Sequence, residues 1–383
     1  MEYLLFATAL FLAFGNGAND NFKGFATVWG SGALSYRQAL WLATLATAAG
    51  SVLSLYLASG LVAQFSGKGL LPQAIVNAPQ FVASVGLGAA LTVMLATRVG
   101  LPISTTHALI GGLVGAGLAA SPGEVEFAKL GSTFLLPLLL SPIAAALLGL
   151  AAYRLLRLRN AAQDCACVLP PQLTAAPVMA HGMLPFLGSA MAPALGPVAA
   201  SPHGPDALTP MVPRLVLAPA GDCAQLPGPV ARFSVASMLD KLHIFSASLI
   251  CFARAVNDTP KLAALLVAAQ LLNAQTSLLV IATAMVVGGL LLSRRVAHTM
   301  GQRVSSIDTT QGVAANLITA TLVLAASQFS LPVSTTHVSV GSIAGVGAIA
   351  RTLDWEVLRS VLLSWVATLP LAGALSWVAM QVL

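Results

Sequence analysis

Two short polar segments repeat within a very apolar chain. LPISTTH at residues 101–107 recurs as LPVSTTH at 331–337. In each copy Leu-Pro ends one helix and favours the start of another, because proline fits the first helical turn. The hydroxyls that follow lie beside free N–H groups at the positive end of the new helix, which is an anion-binding arrangement. The predicted anion ligands are Ser104, Thr105 and Thr106, with Ser334, Thr335 and Thr336 in the second copy.

Two residue types in these segments have alternative roles. Ser104 and Ser334 are good N-cap residues, so capping alone is the simpler interpretation. A cap requires one hydroxyl rather than three, so anion binding is favoured for the whole run. Histidine titrates near neutral pH, so His107 and His337 are candidates for a proton relay. They could equally fix the loops by hydrogen bonds, and this structural role is favoured.

A second repeated motif, N-D-x-x-K, contains acids, amides and lysines. GNGANDNFKG (15–24) corresponds to ARAVNDTPKL (253–262). Asp and Lys three residues apart on a helix are neighbours that partly neutralise each other. Charged residues inside a membrane normally face a cavity and mark an ion or substrate path. A structural ion pair that pins two helices is the alternative. The residues concerned are Asn19, Asp20 and Lys23, with Asn257, Asp258 and Lys261 in the second copy.

Both copies contain residues that disturb a helix. Gly15 and Gly17 precede the first copy, and Pro260 lies inside the second. We therefore expect both helices to be interrupted at the polar residues, which would free backbone groups to bind ions.

The elements that position these motifs are predicted to be membrane helices. The chain of 383 residues is 57% hydrophobic and 8% charged, whereas soluble domains carry about 25% charged residues. Several apolar runs reach the roughly 20 residues that a spanning helix needs. The fold class is all-α, a polytopic membrane helical bundle. Its ten predicted segments are about 3–28, 38–64, 80–98, 102–119, 131–156, 242–272, 275–293, 308–328, 332–350 and 357–382.

Basic residues predict the orientation of these segments. With the N-terminus outside, nearly all arginines of both halves fall on the cytoplasmic side, as the positive-inside rule requires. The net charge of +6 is therefore interpreted as topology rather than as affinity for nucleic acid. Each half has five segments, and because five is odd, the second half enters the membrane from the opposite side to the first. The two halves are therefore predicted to be inverted-topology repeats with both termini outside.

The region between the repeats differs in composition. The predicted domains are a first membrane repeat at 1–157, a cytoplasmic linker at 158–236 and an inverted second repeat at 237–383. The linker holds 13 of the 22 prolines, so it is predicted to be largely disordered. Its Cys165 and Cys167 form a C-x-C pair that could bind a soft metal, although nothing nearby completes a site.

Charge indicates how such a site would work. If the halves bring their motifs together, two carboxylates and an oxyanion share one space, which is unfavourable unless cations enter as well. Lys23 and Lys261 are expected to supply part of the balance, and Na⁺ or H⁺ the rest. Phosphate keeps a proton at neutral pH that a carboxylate can accept, whereas sulfate only accepts hydrogen bonds. Phosphate is therefore favoured.

GNGANDNFKG, AVNDTPK and the two LP-x-STTH segments resemble the inorganic phosphate transporter (PiT) family over about 1–157 and 237–383. The resemblance implies inverted repeats, about ten to twelve membrane segments with broken helices, a large cytoplasmic loop, Na⁺ or H⁺ coupling and a homodimer in the cell membrane. It also implies that Asn19, Asp20, Asn257 and Asp258 line the ion and phosphate sites with the two Ser-Thr-Thr runs. AVND lacks the glycine of GAND, so the second helix break is expected to be shallower.

The predicted function is import of inorganic phosphate by symport with Na⁺ or H⁺, without an enzymatic activity or a cofactor. A sulfate permease is the nearest alternative, because the family contains such members. A passive anion channel with the same lining comes next. An intramembrane hydrolase using Ser104, His107 and Asp20 is disfavoured, because a helix-capping serine is a poor nucleophile and an enzyme needs one such set rather than two.

Overall fold

The computed structural model describes residues 1–67, 69–157, 165–169, 214–218, 231–303 and 307–383. The chain divides into two compact units. The larger contains Met1–Asn160 and Leu239–Leu383, and the smaller contains Ala161–Met238.

The described residues of the first half form nine α-helices. They are α1 (Glu2–Asp20), α2 (Ala26–Gly30), α3 (Tyr36–Leu57), α4 (Gly60–Phe65), α5 (Gln73–Val76), α6 (Pro79–Val99), α7 (Thr105–Ala120), α8 (Phe127–Lys129) and α9 (Leu136–Arg157). A 3₁₀ turn at Pro122–Glu124 precedes α8, and a π-helical turn at Leu130–Leu135 joins α8 to α9.

The second half repeats this order with fewer short helices. It contains α10 (Val235–Ala268), α11 (Ala274–Leu292), α12 (Arg294–His298), α13 (Thr309–Gln328), α14 (Thr335–Ala350) and α15 (Trp355–Val382), with a π-helical turn at Thr299–Arg303. Each of the ten predicted membrane segments coincides with a helix or with consecutive helices, so the predicted helical bundle is confirmed.

Among the described residues, six helical segments are long and apolar enough to cross a membrane: Tyr36–Leu57, Pro79–Val99, Phe127–Leu155, Ala274–Leu292, Thr309–Gln328 and Trp355–Val382. The protein is therefore a multi-pass membrane protein. The helices that carry the repeated polar motifs are not among the six. Of these, α7 and α14 have 16 residues each, or about 24 Å, which is shorter than the roughly 30 Å hydrocarbon core.

Matched backbone turns place the two LP-x-STTH segments. Helix α6 ends at Val99, and Gly100 directly after it is left-handed with φ 83°. Ser330 after α13 is left-handed with φ 54°. Leu-Pro follows directly in both cases, and proline restricts the residue before it to extended backbone. The chain therefore stays non-helical until α7 and α14 begin.

Helices α7 and α14 pack in a reciprocal way. Helix α7 lies against α15, the last helix of the second half, and α14 lies against α9, the last long helix of the first. Each contact uses a G-x-x-x-G pair, Gly111 and Gly115 in α7 and Gly341 and Gly345 in α14. A methyl group at any of the four would approach a carbonyl of the partner helix to 2.0–2.5 Å. Small residues thus allow these backbones to approach closely.

The two predicted helix interruptions have different outcomes. Helix α1 ends at Asp20 and α2 begins at Ala26, so the first chain break lies at the polar motif. The second prediction is wrong, because α10 continues from Val235 to Ala268 through Pro260. A proline removes a single N–H from the helix, and membrane helices tolerate this where neighbouring groups satisfy the freed carbonyl.

The described residues of the smaller unit include a three-stranded antiparallel sheet. Most of the linker that the sequence predicts to be largely disordered lies outside the described residues. Strands β1 (Cys165–Leu169), β2 (Arg214–Ala218) and β3 (Ala231–Ser234) lie in the order β2-β1-β3. These segments are short runs without proline between proline-rich stretches, which makes them compatible with strands. Cys165 and Cys167 lie in β1. The described part of the chain contains no group of three side chains that could hold a metal ion.

Candidate functional site

The two LP-x-STTH segments bond directly to each other. Thr106 Oγ1 donates to the Val333 carbonyl at 3.3 Å, and Thr336 Oγ1 donates to the Ile103 carbonyl at 2.7 Å. All four residues are buried. A threonine from each half thus bonds the backbone of the other half, and the structure brings the two predicted anion-binding segments together.

Lys23 connects the first half to the second. Its ammonium group donates to Asp20, to the Ile103 carbonyl at 3.2 Å and to the Thr336 hydroxyl. The pairing with Asp20 follows the predicted three-residue spacing. The bond to Thr336 joins residues 313 positions apart.

Lys261 makes the corresponding contacts from the second half. Its ammonium group donates to Thr106 Oγ1 at 2.9 Å and to the Val333 carbonyl at 2.7 Å, and it lies 3.7 Å from the Asp258 carboxylate. It also lies 5.3 Å from the centre of the Phe65 ring. Each lysine therefore contacts its own aspartate and a threonine of the other half.

Asn16 bridges the two aspartates. Its Nδ2 donates to Asp20 and to Asp258 at 3.3 Å each, and to Thr105 Oγ1 at 3.0 Å. Sequence reasoning missed this residue, although it belongs to the same GNGAND segment. The carboxylates of both halves therefore accept hydrogen bonds from the same side-chain amide.

Arg254 is the second residue that sequence reasoning missed. It is the largest fully buried side chain among the described residues, with 0% exposure. Its guanidinium group donates to Asn16 Oδ1 at 3.0 Å and to Thr47 Oγ1 at 2.9 Å. The signal was present in the sequence, because a charged residue within an apolar helix is a functional candidate by default.

The predicted asparagines anchor the loops. Asn19 donates to Thr97 Oγ1 at 3.0 Å and to the Leu101 carbonyl at 3.1 Å, and it accepts from the Ile103 N–H at 3.2 Å. The first loop is thus bonded to the helix that carries Asp20.

Asn257 anchors the second loop in a similar way. It donates to Asp258 at 3.0 Å, to the Val333 carbonyl at 3.3 Å and to Thr335 Oγ1 at 3.4 Å. It also accepts from Ser327 Oγ at 3.2 Å. Both asparagines therefore position the loops and the aspartates relative to each other.

The serines and histidines of the repeated segments lie at the starts of α7 and α14. Ser104 Oγ accepts from the His107 N–H at 3.1 Å, and Ser334 Oγ accepts from the His337 N–H at 3.3 Å, so both serines are N-caps. The two imidazole rings lie 4.4 Å apart, and His337 stacks on Trp365 at 3.7 Å. The rings line a mainly apolar cavity of about 430 Å³. A proton relay through them stays a prediction.

The charges of this cluster do not cancel. It contains the carboxylates of Asp20 and Asp258 and the cations of Lys23, Arg254 and Lys261, all at most 4% exposed. Their formal charges leave an excess of one positive charge. A buried excess of positive charge is suited to an anion, since a buried ion otherwise lacks compensation.

A cavity of about 520 Å³ extends to one side of the cluster. Its polar lining includes Ser54, Ser59, Ser66 and Gln270, and it reaches Pro260, the residue before Lys261. Hydroxyl and amide groups can replace part of the hydration of a small ion. Leu55, Val62 and Leu278 also line this cavity, which approaches the cluster at Pro260. We call it the vestibule.

The residue that matches Pro260 in the first half is Phe22, and its surroundings are different. Phe22 is buried. It stacks on Tyr36 at 5.0 Å between ring centres and meets the edge of Trp29 at 5.8 Å. Aromatic rings in such contact fill space densely. An aromatic cluster of Phe22, Trp29 and Tyr36 therefore surrounds the position in the first half that matches Pro260. The vestibule at Pro260 itself is lined by residues of both halves.

Buried charges and hydroxyls at the crossing of helices in a multi-pass bundle are typical of a membrane transporter. The particular family follows from comparison with known proteins. The model of the phosphate transporter family matches residues 16–376, and the chain belongs to that family. This is a family of transporters and not of enzymes.

Two relatives and one solved structure illustrate the similarity. A protein named as a phosphate permease in Pyrococcus abyssi is 25% identical, with 98% of this chain and 96% of that protein covered. The chloroplastic inorganic phosphate transporter 2-1 of Arabidopsis thaliana is 27% identical, covering 100% of this chain and 73% of that protein. A sodium-dependent phosphate transporter of known structure aligns with a TM-score of 0.73 at 20% identity, covering 100% of this chain and 98% of that one. At this identity the structural match concerns the fold.

Proposed function

We propose that the protein imports inorganic phosphate across the cell membrane by symport with Na⁺ or H⁺. The observation that carries the proposal is the reciprocal bonding of the two halves. Lys23 reaches Thr336, and Lys261 reaches Thr106. Two acids, two lysines and two hydroxyl-rich loops from distant parts of the chain thereby share one buried cluster.

The proposal includes an inverted relation between the halves. A two-fold relation makes contacts reciprocal, and both the lysine–threonine bonds and the α7–α15 and α14–α9 packing have this character. With the charge distribution of the loops, this supports outside termini and a cytoplasmic central loop. A homodimer is proposed from the family resemblance.

In the proposed site, phosphate oxygens accept from the donors that now join the loops. These are the hydroxyls of Thr106 and Thr336 and the ammonium groups of Lys23 and Lys261. Thr105 and Thr335 lie behind them, bonded to the two asparagines Asn16 and Asn257. Ser104 and Ser334 place the positive ends of α7 and α14 toward the anion.

The aspartates provide the cation coupling in this proposal. Asp20 and Asp258 share Asn16 as a donor, so their carboxylates lie close together. Two carboxylates beside an anion favour the entry of Na⁺ or H⁺ with it. A protonated phosphate oxygen can donate a hydrogen bond to one of the two carboxylates. Sulfate has no proton at neutral pH and cannot donate such a bond. This difference favours phosphate over the sulfate alternative.

The vestibule and the aromatic cluster suit alternating access. We propose that the vestibule at Pro260 admits the ions from outside while the cluster of Phe22, Trp29 and Tyr36 closes the opposite path. The vestibule residues Ser59, Ser66 and Gln270 lie at helix ends predicted to be outside. Rearrangement of the matched halves would exchange the open and closed sides.

Uptake of labelled phosphate by proteoliposomes tests the function. Na⁺ and proton gradients are imposed separately, with unlabelled phosphate or sulfate as competitor. We expect uptake of labelled phosphate to stop when the coupling gradient collapses. Excess unlabelled phosphate should inhibit this uptake, whereas excess sulfate should not. Uptake that ignores both gradients would favour the passive channel, and displacement by sulfate alone would favour the sulfate permease.

A further inference from the structure

Arg254 occupies the position in the second half that Asn16 occupies in the first. The alignment of GNGANDNFKG with ARAVNDTPKL pairs these two residues. The structure brings them into contact, with Arg254 Nη1 3.0 Å from Asn16 Oδ1. At this one position of the motif, the second half carries a charge that the first half lacks.

The guanidinium group of Arg254 is buried, and no carboxylate of the described residues forms an ion pair with it. Its donors meet Asn16 and Thr47, which are both neutral, and its Nε has no hydrogen-bond partner among the described residues. The ion pairs found in the described part of the chain join Lys23 to Asp20 and Lys261 to Asp258. Arginine stays protonated in proteins, and a buried charge without a counterion is unfavourable. The positive charge of Arg254 therefore has no ion-pair partner among the described residues.

The contact with Asn16 links this charge to the site. Arginine has donors only, so Oδ1 of Asn16 must face it and Nδ2 must point away. Nδ2 then donates to Asp20, Asp258 and Thr105. Arg254 thus orients the amide that both carboxylates share, and its charge acts on the same small volume.

We propose that Arg254 is a resident countercharge that sets how many cations accompany each phosphate ion. This inference rests on the proposed symport. With two carboxylates and an anion in the site, each fixed positive charge reduces by one the number of mobile cations needed for balance. Arg254 is a positioning residue in this role, because it contacts Asn16 rather than the transported ions.

The test compares the ratio of cation to phosphate transported by full-length wild type, Arg254→Gln and Arg254→Lys. The ratio is measured by dual-label flux in proteoliposomes with the cation that drives wild-type uptake. We expect Arg254→Gln to raise the ratio by about one and the phosphate KM by about 5-fold or more, the lower range for coupled sites. Arg254→Lys keeps the charge and should keep the wild-type ratio.

Thr47→Val is the matched control. It removes a hydrogen bond from the same guanidinium group but leaves the charge, so the ratio should not change. A purely structural role of Arg254 would lower the maximal rate or the protein yield in all these variants at a constant ratio. A wild-type ratio in Arg254→Gln would overturn the inference.

Asn16→Asp provides a second test if Arg254→Gln does not insert into the membrane. The new carboxylate neutralises Arg254 without removing it, so the ratio should again rise by about one, and an unchanged ratio would contradict the inference. Failure of the symport proposal is distinguishable, because wild type would then show no gradient-driven phosphate uptake at all.

Discussion

The two halves of the protein are alike where they touch each other and different around that contact. The matched loops bond through Thr106 and Thr336, and the matched lysines each reach the threonine of the other half. Reciprocal contacts require both partners to keep the same chemistry. The parts of the repeat that meet at the centre therefore form one site from two similar sequences.

The halves differ in the residues that surround this contact. Asn16 matches Arg254, and Phe22 matches Pro260. Helix α1 ends at Asp20, whereas α10 continues past Asp258. The first difference adds a positive charge. The second places Phe22 in an aromatic cluster and Pro260 at the vestibule. The comparison teaches that a nearly symmetric centre can have unequal charge and unequal access.

The aspartates should show the largest effect. Asp20→Asn and Asp258→Asn each remove the partner of a buried lysine, which costs about 3–5 kcal/mol. We expect coupled phosphate uptake to fall by about 100-fold or more in both variants while the protein still inserts. Glu126→Gln, at an exposed acid, is the control and should transport normally. Full uptake in one aspartate variant would show that the acids of the two halves are not equivalent.

The threonine pair tests the symmetry of the centre. Thr106→Val and Thr336→Val each remove one hydrogen bond to a charged group, which contributes about 1.5–3 kcal/mol. We expect the phosphate KM to rise by about 10-fold in each variant, and by similar factors. Thr283→Val removes an exposed hydroxyl that bonds to the Leu279 carbonyl of its own helix and should leave KM unchanged. A tenfold difference in phosphate KM between the two variants would contradict equivalent roles for Thr106 and Thr336.

The access difference predicts unequal effects at Phe22 and Pro260. Phe22→Ala removes a ring from the aromatic cluster, so phosphate efflux from loaded proteoliposomes without a gradient should rise by about 3–10-fold, because a large-to-small change leaves a cavity. Pro260→Ala leaves the polar lining of the vestibule in place and should change this efflux little. Equal phosphate efflux in both variants would contradict the proposal that the aromatic cluster closes one side and the vestibule opens the other.

The smallest expected effect concerns the turns before the loops. Gly100 and Ser330 both have left-handed backbone conformations at matched positions. This conformation destabilises any residue other than glycine by roughly 1–2 kcal/mol. Ser330→Gly should therefore raise the melting temperature of the detergent-purified protein slightly, and Gly100→Ser should lower it. Shifts of the same sign in both variants would mean that the turns do not share this backbone requirement.

Much of the fold was predictable because it depends on local sequence. Long apolar runs located the helices, and Leu-Pro located the ends of α6 and α13. The spacing of Asp20 and Lys23 predicted their ion pair, because residues three apart on a helix are neighbours. The continuous helix α10 was not predicted, since the effect of Pro260 depends on how neighbouring groups satisfy the freed carbonyl. The sheet at Cys165–Leu169 was also missed, because the pairing of short strands depends on distant segments.

The sequence by itself determined the class of protein, the order of the helices and the identity of the repeated polar motifs. Only the tertiary structure decided which of these motifs meet. Lys23 bonds to Thr336 across 313 positions, and Arg254 bonds to Asn16 across 238. Spacing along one helix sets local neighbours, whereas contacts between the halves depend on how close-packed helices cross. The excess positive charge of the site follows from those crossings, because they bring Arg254 of one half to Asn16, which bonds to the acids of both.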